Sequence, residues 1–318
     1  MKVLITREIP ERIVEAAKAR FDVTFRDEPC VGLTEEEAAV ALRDYDAILL
    51  TLGDQFSART FEMAGDIRCK VLANFGVGYN HIDAAAAATA GVAVTNTPDV
   101  LTDATADIGM TLLLATARQA ALGDRLVRGG GWKGWGPTQM MGTHVTGKTV
   151  GIIGMGRIGQ AVAKRCHYGF DMPVIYYNRS AKDAGLPARQ VESLATVMAQ
   201  ADFVVVTVPG GAETRHLIDA EALAAMKPEG IFINIARGDV VDEEALIAAL
   251  AEKRIGAAGL DVYAQEPFVP EALRALDNAV LLPHLGSATL ETREAMGQMA
   301  LDNIIAHAEG RDLPQRVV

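Results

Sequence analysis

Three segments of this chain end in residues suited to proton and anion chemistry. Residues 230–238 close on Arg237, 259–267 carry Asp261 and Glu266, and 280–287 present His284 directly after a proline. Imidazole titrates near neutral pH and can hand a proton to a developing alkoxide. A carboxylate bonded to its far ring nitrogen orients the ring and favours the protonated form. A planar guanidinium grips a carboxylate with two parallel bonds and polarises the carbonyl beside it. Together Arg237, Glu266 and His284 could anchor an anion and pass a proton, and with a hydride donor held nearby they could support a reduction.

The segment 148–159 offers a place for that donor. A β-branched run stops at a glycine turn, and a helical pattern begins straight after it. Gly154, Gly156 and Gly159 fit the dinucleotide fingerprint of a tight turn, close backbone approach to pyrophosphate, and close helix–strand packing. The pyrophosphate then sits at a helix N-terminus, where unpaired N–H groups favour negative charge. About twenty residues further on, where an NAD site carries an acidic residue, this chain has Asn178, Arg179 and Ser180. An amide, a guanidinium and a hydroxyl can all donate to a 2′-phosphate. This corner predicts NADP(H) as the preferred cofactor, with NAD(H) also open.

Positioning these groups requires a parallel sheet. Strand patterns at 2–6, 22–25, 47–51, 71–74 and 92–95 alternate with helical patterns at 11–20, 34–42 and 83–90. Such alternation means βαβ units. Asn96, Thr97 and Pro98 break the pattern, and one long apolar helix is predicted over 100–122 with Asp99 as its N-cap. A Gly/Trp-rich loop at 129–136 leads into the fingerprint strand. Further strands follow at 174–177, 203–208, 231–235, 257–261 and 280–282, and a helix at 289–308 closes the chain. The expected architecture is α/β, with two Rossmann-like, doubly wound parallel-sheet domains and a cleft between them. Residues 99–286 form the dinucleotide-binding domain, and 1–98 with 287–318 form a flavodoxin-like substrate domain. Closure of the cleft is expected to bend the chain near 96–98 and 286–288.

Composition narrows the partners. The chain has 318 residues, half of them apolar, and a net charge of −11. That length supports two cores, and the charge disfavours nucleic acid and anionic lipid as partners. An anionic substrate then needs a locally positive, concave pocket. The chain opens on a strand-like run rather than a signal peptide, which predicts a cytoplasmic protein. Cys30, Cys69 and Cys166 are widely spaced and read as reduced, mostly buried thiols. No His/Cys/Asp/Glu spacing suggests a metal site. His81, His144, His167, His216 and His307 read as packed or capping residues, and Met140 and Met141 as loop or interface packing.

The ordered set 74–80, 103–107, 148–159, 234–239, 259–267 and 283–287 resembles the D-isomer-specific 2-hydroxyacid dehydrogenases over nearly the whole chain. Among these the chain looks most like NADPH-dependent glyoxylate/hydroxypyruvate reductases. The resemblance implies catalytic roles for Arg237, Glu266 and His284, with Val77 and Gly78 amides on the substrate carboxylate. It implies that Asp261 contacts the nicotinamide side, although an aspartate at a strand end also suits a turn cap. It places Thr105 near the phosphates and Arg157 and Ile158 after the pyrophosphate turn. Val208, Pro209, Thr214, Ile235, Ala236 and Gly286 complete the implied cofactor contacts. One departure is the pair Gly210 and Gly211, where many relatives carry a bulkier residue and a threonine; these glycines are expected to widen the cofactor cleft.

Leu52 would give a small keto acid an apolar wall, favouring glyoxylate and hydroxypyruvate. No arginine stands in the 49–54 segment, unlike in relatives acting on phosphoglycerate, and Glu266 replaces the glutamine of formate-oxidising relatives. Activity as a 2-ketogluconate-reducing or other D-2-hydroxyacid dehydrogenase, phosphite oxidation, and a dinucleotide-sensing corepressor-like binding role remain as alternatives. The resemblance further implies a homodimer in which Trp135 lines the partner's substrate site.

Overall fold

A computed structural model describes residues Met1–Val318. The chain divides into two compact units, Met1–Leu101 with Ser287–Val318, and Thr102–Gly286. Each unit is a fully parallel sheet with helices packed against it.

In the first unit the strands are β1 (Lys2–Ile5), β2 (Asp22–Phe25), β3 (Ala47–Thr51), β4 (Val71–Phe75) and β5 (Ala93–Thr95). Their spatial order is β2-β1-β3-β4-β5. β3 is buried along its whole length, as befits a strand covered on both faces. The helix Leu290–Ala308 returns to this unit. Its Gly297 lies so close to Ile13 that an added Cβ would stand 2.7 Å from Cγ1, so only glycine allows this crossing. The chain end then runs beside β5, with the Val317 amide donating to the Val94 carbonyl at 2.8 Å.

The second unit holds β6 (Val150–Ile153), β7 (Val174–Tyr177), β8 (Ala188–Gln190), β9 (Phe203–Val206), β10 (Ile231–Asn234), β11 (Ala257–Leu260) and β12 (Ala279–Leu281). The order is β12-β11-β10-β9-β6-β7-β8, so the winding reverses between β6 and β9. Ligands of such sheets bind beyond the carboxyl ends of the strands at this reversal. Register aligns those ends: Ile153 pairs with Tyr177 and Val206, Val206 with Asn234, Asn234 with Leu260, and Leu260 with Leu281. The residues that follow therefore emerge along one edge.

The single helix expected over 100–122 is two helices, Thr102–Ala117 and Ala120–Arg128, broken at Gln119 in the left-handed region. The Ala117 carbonyl, which would bond four residues on, instead accepts the Thr143 amide at 2.8 Å. The first helix buries eight residues and the second none, so the apolar stripe also ends there. Asp99 is not the N-cap. The helix starts at Thr102, and Asp99 has φ 71° rather than the extended backbone of a cap.

Candidate functional site

His284 follows β12 on a turn whose bonds all lead back to β11. Its amide donates to the Asp261 carbonyl at 3.0 Å. The Asp261 carboxylate accepts the Leu285 amide at 2.7 Å and the Gly286 amide at 2.8 Å. These bonds hold His284 at φ 55°, a backbone region that a non-glycine residue enters only when its surroundings over-determine it. His284 Nδ1 lies 2.7 Å from Glu266 Oε2, and Glu266 Oε1 accepts the Tyr263 amide at 3.0 Å. The Tyr263 hydroxyl in turn donates to the Leu282 carbonyl at 2.8 Å. Backbone and side chains thus fix both partners of the pair.

Charges follow this geometry. Burial raises the Glu266 carboxyl, but bonds from His284 and the Tyr263 amide, with the Arg237 charge, outweigh it and hold it below the usual range. Burial pushes Asp261 up, against the pull of the two amides and the His284 charge. Burial lowers the Arg237 guanidinium, opposed by Glu266 and Asp239. Arg237 Nη1 donates to the Ala236 carbonyl at 2.7 Å, while its buried Nε has no partner. The turn that carries it is braced by Asn234, which accepts the Ala236 amide at 3.0 Å and donates to the Arg237 carbonyl at 2.9 Å.

Gly210 does not open the space around this turn. A Cβ there would stand 2.8 Å from Arg237 Cγ, so the arginine fills the room that the missing side chain leaves. Of this pair, Gly211 alone has nothing within 4 Å. Thr214 closes its loop by donating to the Pro209 carbonyl at 2.7 Å.

The fingerprint turn passes a test of fit for a dinucleotide. Gly154 has φ 99°, and a Cβ on Gly159 would lie 2.2 Å from the Gly154 carbonyl oxygen, so neither position accepts a side chain. Gly156 caps the helix Arg157–Phe170 and has nothing within 4 Å, which leaves its backbone open to a phosphate. Arg157 and Ile158 form the first turn of that helix. Thr207 donates to the Gly154 carbonyl at 2.6 Å, and Asn178 accepts the Met155 amide at 3.1 Å. Asn178 also donates to the Ser180 carbonyl at 2.8 Å, so its amide braces the turn with one of its two N–H groups. Arg179 is exposed and paired with Glu213. Thr105 is buried, and it and Asp261 flank the point where a Gly286 side chain would be. Val208 abuts Gly154, while Ile235 and Ala236 are buried.

In the first unit, the Gly76, Val77 and Gly78 carbonyls are all occupied. Asn74 Nδ2 donates to Gly76 and Gly78 at 3.0 Å each, and Asn96 Nδ2 to Val77 at 2.9 Å. The Val77 and Gly78 amides donate to no acceptor in the chain, which leaves a small nest of N–H groups. The loop bearing half-buried Leu52 hangs on the fully buried Asp54. That carboxylate accepts the Leu33 and Thr51 amides at 2.8 Å each and the Thr6 hydroxyl at 2.6 Å.

Sequence reasoning did not single out Asn74, Asn234, Asp54 or Thr207. For Asn74 and Asn234 the signal was an asparagine at or next to the last residue of a strand and followed by a turn, whereas Asp54 and Thr207 carried none. Cys69 and Cys166 are buried and pushed up to about 12 by burial, whereas Cys30 is exposed. A shallow cavity of about 590 Å³ lies at the opposite, amino ends of β6 and β7, beside Thr149, Pro173 and His167. No group of His, Cys, Asp and Glu is arranged to hold a metal, and no helix is long and apolar enough to cross a membrane.

Residues 110–286 match the D-isomer specific 2-hydroxyacid dehydrogenase, NAD binding domain. The chain belongs to that family. A glyoxylate reductase of Pyrococcus furiosus is 44% identical, over 100% of this chain and 95% of its own length. A Thermus thermophilus protein superposes with a TM-score of 0.91 at 40% identity, covering 100% of both chains. The NADPH-dependent glyoxylate/hydroxypyruvate reductase of Sinorhizobium meliloti, solved with NADP and malonate, gives 0.88 at 34% identity over 100% of this chain and 96% of its own. This 2-hydroxyacid dehydrogenase thus carries the family's NAD-binding domain on the seven-stranded sheet and is an oxidoreductase.

Proposed function

We propose that the protein reduces small 2-keto acids, glyoxylate to glycolate and hydroxypyruvate to D-glycerate, with NADPH preferred over NADH. The observation that carries this reading is the bond between His284 Nδ1 and Glu266 Oε2. With Nδ1 committed, Nε2 is the ring atom that holds the transferable proton, and the Glu266 charge steadies the ring while it is positive. A bound dihydronicotinamide supplies the hydride to the carbonyl carbon. His284 gives its Nε2 proton to the carbonyl oxygen and ends neutral; in the reverse direction the neutral ring takes the proton back. Arg237 holds the substrate carboxylate and polarises the adjacent carbonyl, using donors other than the Nη1 hydrogen spent on the Ala236 carbonyl.

Residues 99–286 act as the dinucleotide-binding domain, and 1–98 with 287–318 as the substrate domain. The unclaimed amides of Val77 and Gly78 donate to the carboxylate, and Leu52 provides an apolar wall. Arg179 and Ser180 would receive the 2′-phosphate, Asp261 would stand on the nicotinamide side and Thr105 near the phosphates, and Gly154, Gly156, Arg157, Ile158 and Gly159 would receive the pyrophosphate. The name of the Pyrococcus furiosus relative supports the substrate class. A cytoplasmic homodimer is the assembly we favour, with Trp135 serving the partner's site. Exposure of Val127, Trp132, Trp135 and Met141 supports it.

The test is NADPH consumption with glyoxylate, hydroxypyruvate, pyruvate and 2-ketogluconate. The first two should give the highest kcat/KM. Indifference to every keto acid would overturn the reading, and a kcat/KM for NADH at or above that for NADPH would overturn the cofactor choice.

A further inference from the structure

The end of β7 lacks a carboxylate in sequence, yet the fold brings one there. Glu213, from the loop after β9, pairs with Arg179, and the two side chains are 79% and 84% exposed. Neither stands on loose backbone. The loop of Glu213 is closed by the Thr214 hydroxyl on the Pro209 carbonyl at 2.7 Å, and by the Thr214 and Arg215 amides on the Gly211 carbonyl at 3.1 and 3.0 Å. Arg179 follows Asn178, whose amide ties the Met155 amide to the Ser180 carbonyl. The loops after β7 and β9, the two strands that flank β6, therefore bring opposite charges together.

We propose that Glu213 sets the balance between the two nicotinamide cofactors. This rests on the reading that Arg179 faces the 2′-position. A 2′-phosphate must compete with Glu213 for the guanidinium and then sit beside its carboxylate, which like-charge repulsion opposes. A 2′-hydroxyl meets no such penalty and can donate to that carboxylate, the role an acidic residue at the end of β7 plays in NAD sites. Glu213 thus restrains an arginine that alone would select strongly for the phosphate. The protein accepts both cofactors, and the carboxylate narrows the margin between them.

Equilibrium binding of NADP⁺ and NAD⁺, with 2′-AMP and 5′-AMP as fragment probes, measures this without turnover. Calorimetry on wild type, Glu213→Gln and Arg179→Gln suffices, since both positions are exposed and neither change disturbs a core. Glu213→Gln should tighten NADP⁺ and 2′-AMP by about 2- to 5-fold, the range of an exposed charge pair, and leave NAD⁺ equal or weaker. Arg179→Gln should weaken NADP⁺ by about 10-fold or more, as loss of a charged hydrogen bond implies, and leave NAD⁺ little changed. If Arg179→Gln weakens NADP⁺ but Glu213→Gln does not move the NADP⁺/NAD⁺ ratio, the inference about Glu213 is wrong and the cofactor reading stands. If Arg179→Gln leaves NADP⁺ affinity intact, the cofactor reading itself fails and takes the inference with it.

Discussion

Two corners of the seven-stranded sheet are built in opposite ways. At the ends of β11 and β12, Asp261, Glu266 and His284 are tied to backbone amides and to each other, and His284 is held at an unfavourable φ. At the end of β7, only the backbone is braced, by Asn178, while Arg179 and Glu213 reach into solvent. Proton transfer loses rate steeply when its groups are misplaced, so that corner is over-determined. Choice between two related cofactors needs only a modest energy difference, which exposed charges supply and can readily change. Rigid chemistry beside adjustable selectivity is what the contrast teaches.

Breaking the rigid corner should produce the larger effects. Arg237→Met removes the carboxylate anchor, and kcat/KM for glyoxylate should fall roughly 100-fold or more, as for loss of charged hydrogen bonds worth about 1.5–3 kcal/mol each. Affinity for NADP⁺, measured separately, should hold. Glu266→Gln keeps the shape but loses the charge that steadies the ring, and kcat should drop roughly 10- to 100-fold, as for other second-layer partners of a functional histidine.

The same substitution has a pH signature. Glu266 titrates lower in the folded protein than its ordinary 4.5. Its contribution to stability is therefore complete above that ordinary value and is lost as pH falls through the lower folded one. Glu266→Gln should flatten the acid limb of a plot of Tm against pH. An unchanged limb would mean that the pair does not form.

Gly210→Ala probes the turn from its other side. The added methyl meets Arg237 Cγ at 2.8 Å, and overpacking of about 1–3 kcal/mol should raise KM for the keto acid roughly tenfold. The control Gly211→Ala is strained by its own φ of 137° but touches nothing, so substrate KM should respond less. The smallest effect lies away from both corners. Burial raises Asp202, but the Lys227 ammonium and the Thr149 amide, each at 2.8 Å, hold it below its usual range. Lys227→Met should cost about 0.5 kcal/mol of stability at neutral pH and nothing once the carboxyl is protonated, as urea titrations at two pH values would reveal.

Much of this was legible in the residues. The β-branched runs name the strands, because a parallel sheet covered on both faces demands near-continuous apolar stretches such as Phe203–Val206. Arg237, Glu266 and His284 could be picked out because strand ends in a doubly wound sheet converge on one edge. What stayed hidden depends on contacts distant in sequence. The break after Ala117 comes with Thr143, and the space at Gly210 is filled by Arg237 from the turn after β10. That Asn178 braces its own turn through Met155 and Ser180 could not be read from the sequence either. No local pattern marks Glu213, which only the fold sets against Arg179.

The central claim is that the His284 imidazole delivers the proton to the keto acid. Glyoxylate reduction by His284→Ala at saturating NADPH, with cofactor affinity measured alongside, tests it most directly. Loss of the imidazole should lower kcat by about 10²–10⁴-fold, the usual worth of a positioned general acid, with cofactor binding unchanged. Turnover close to that of the unaltered protein would contradict it.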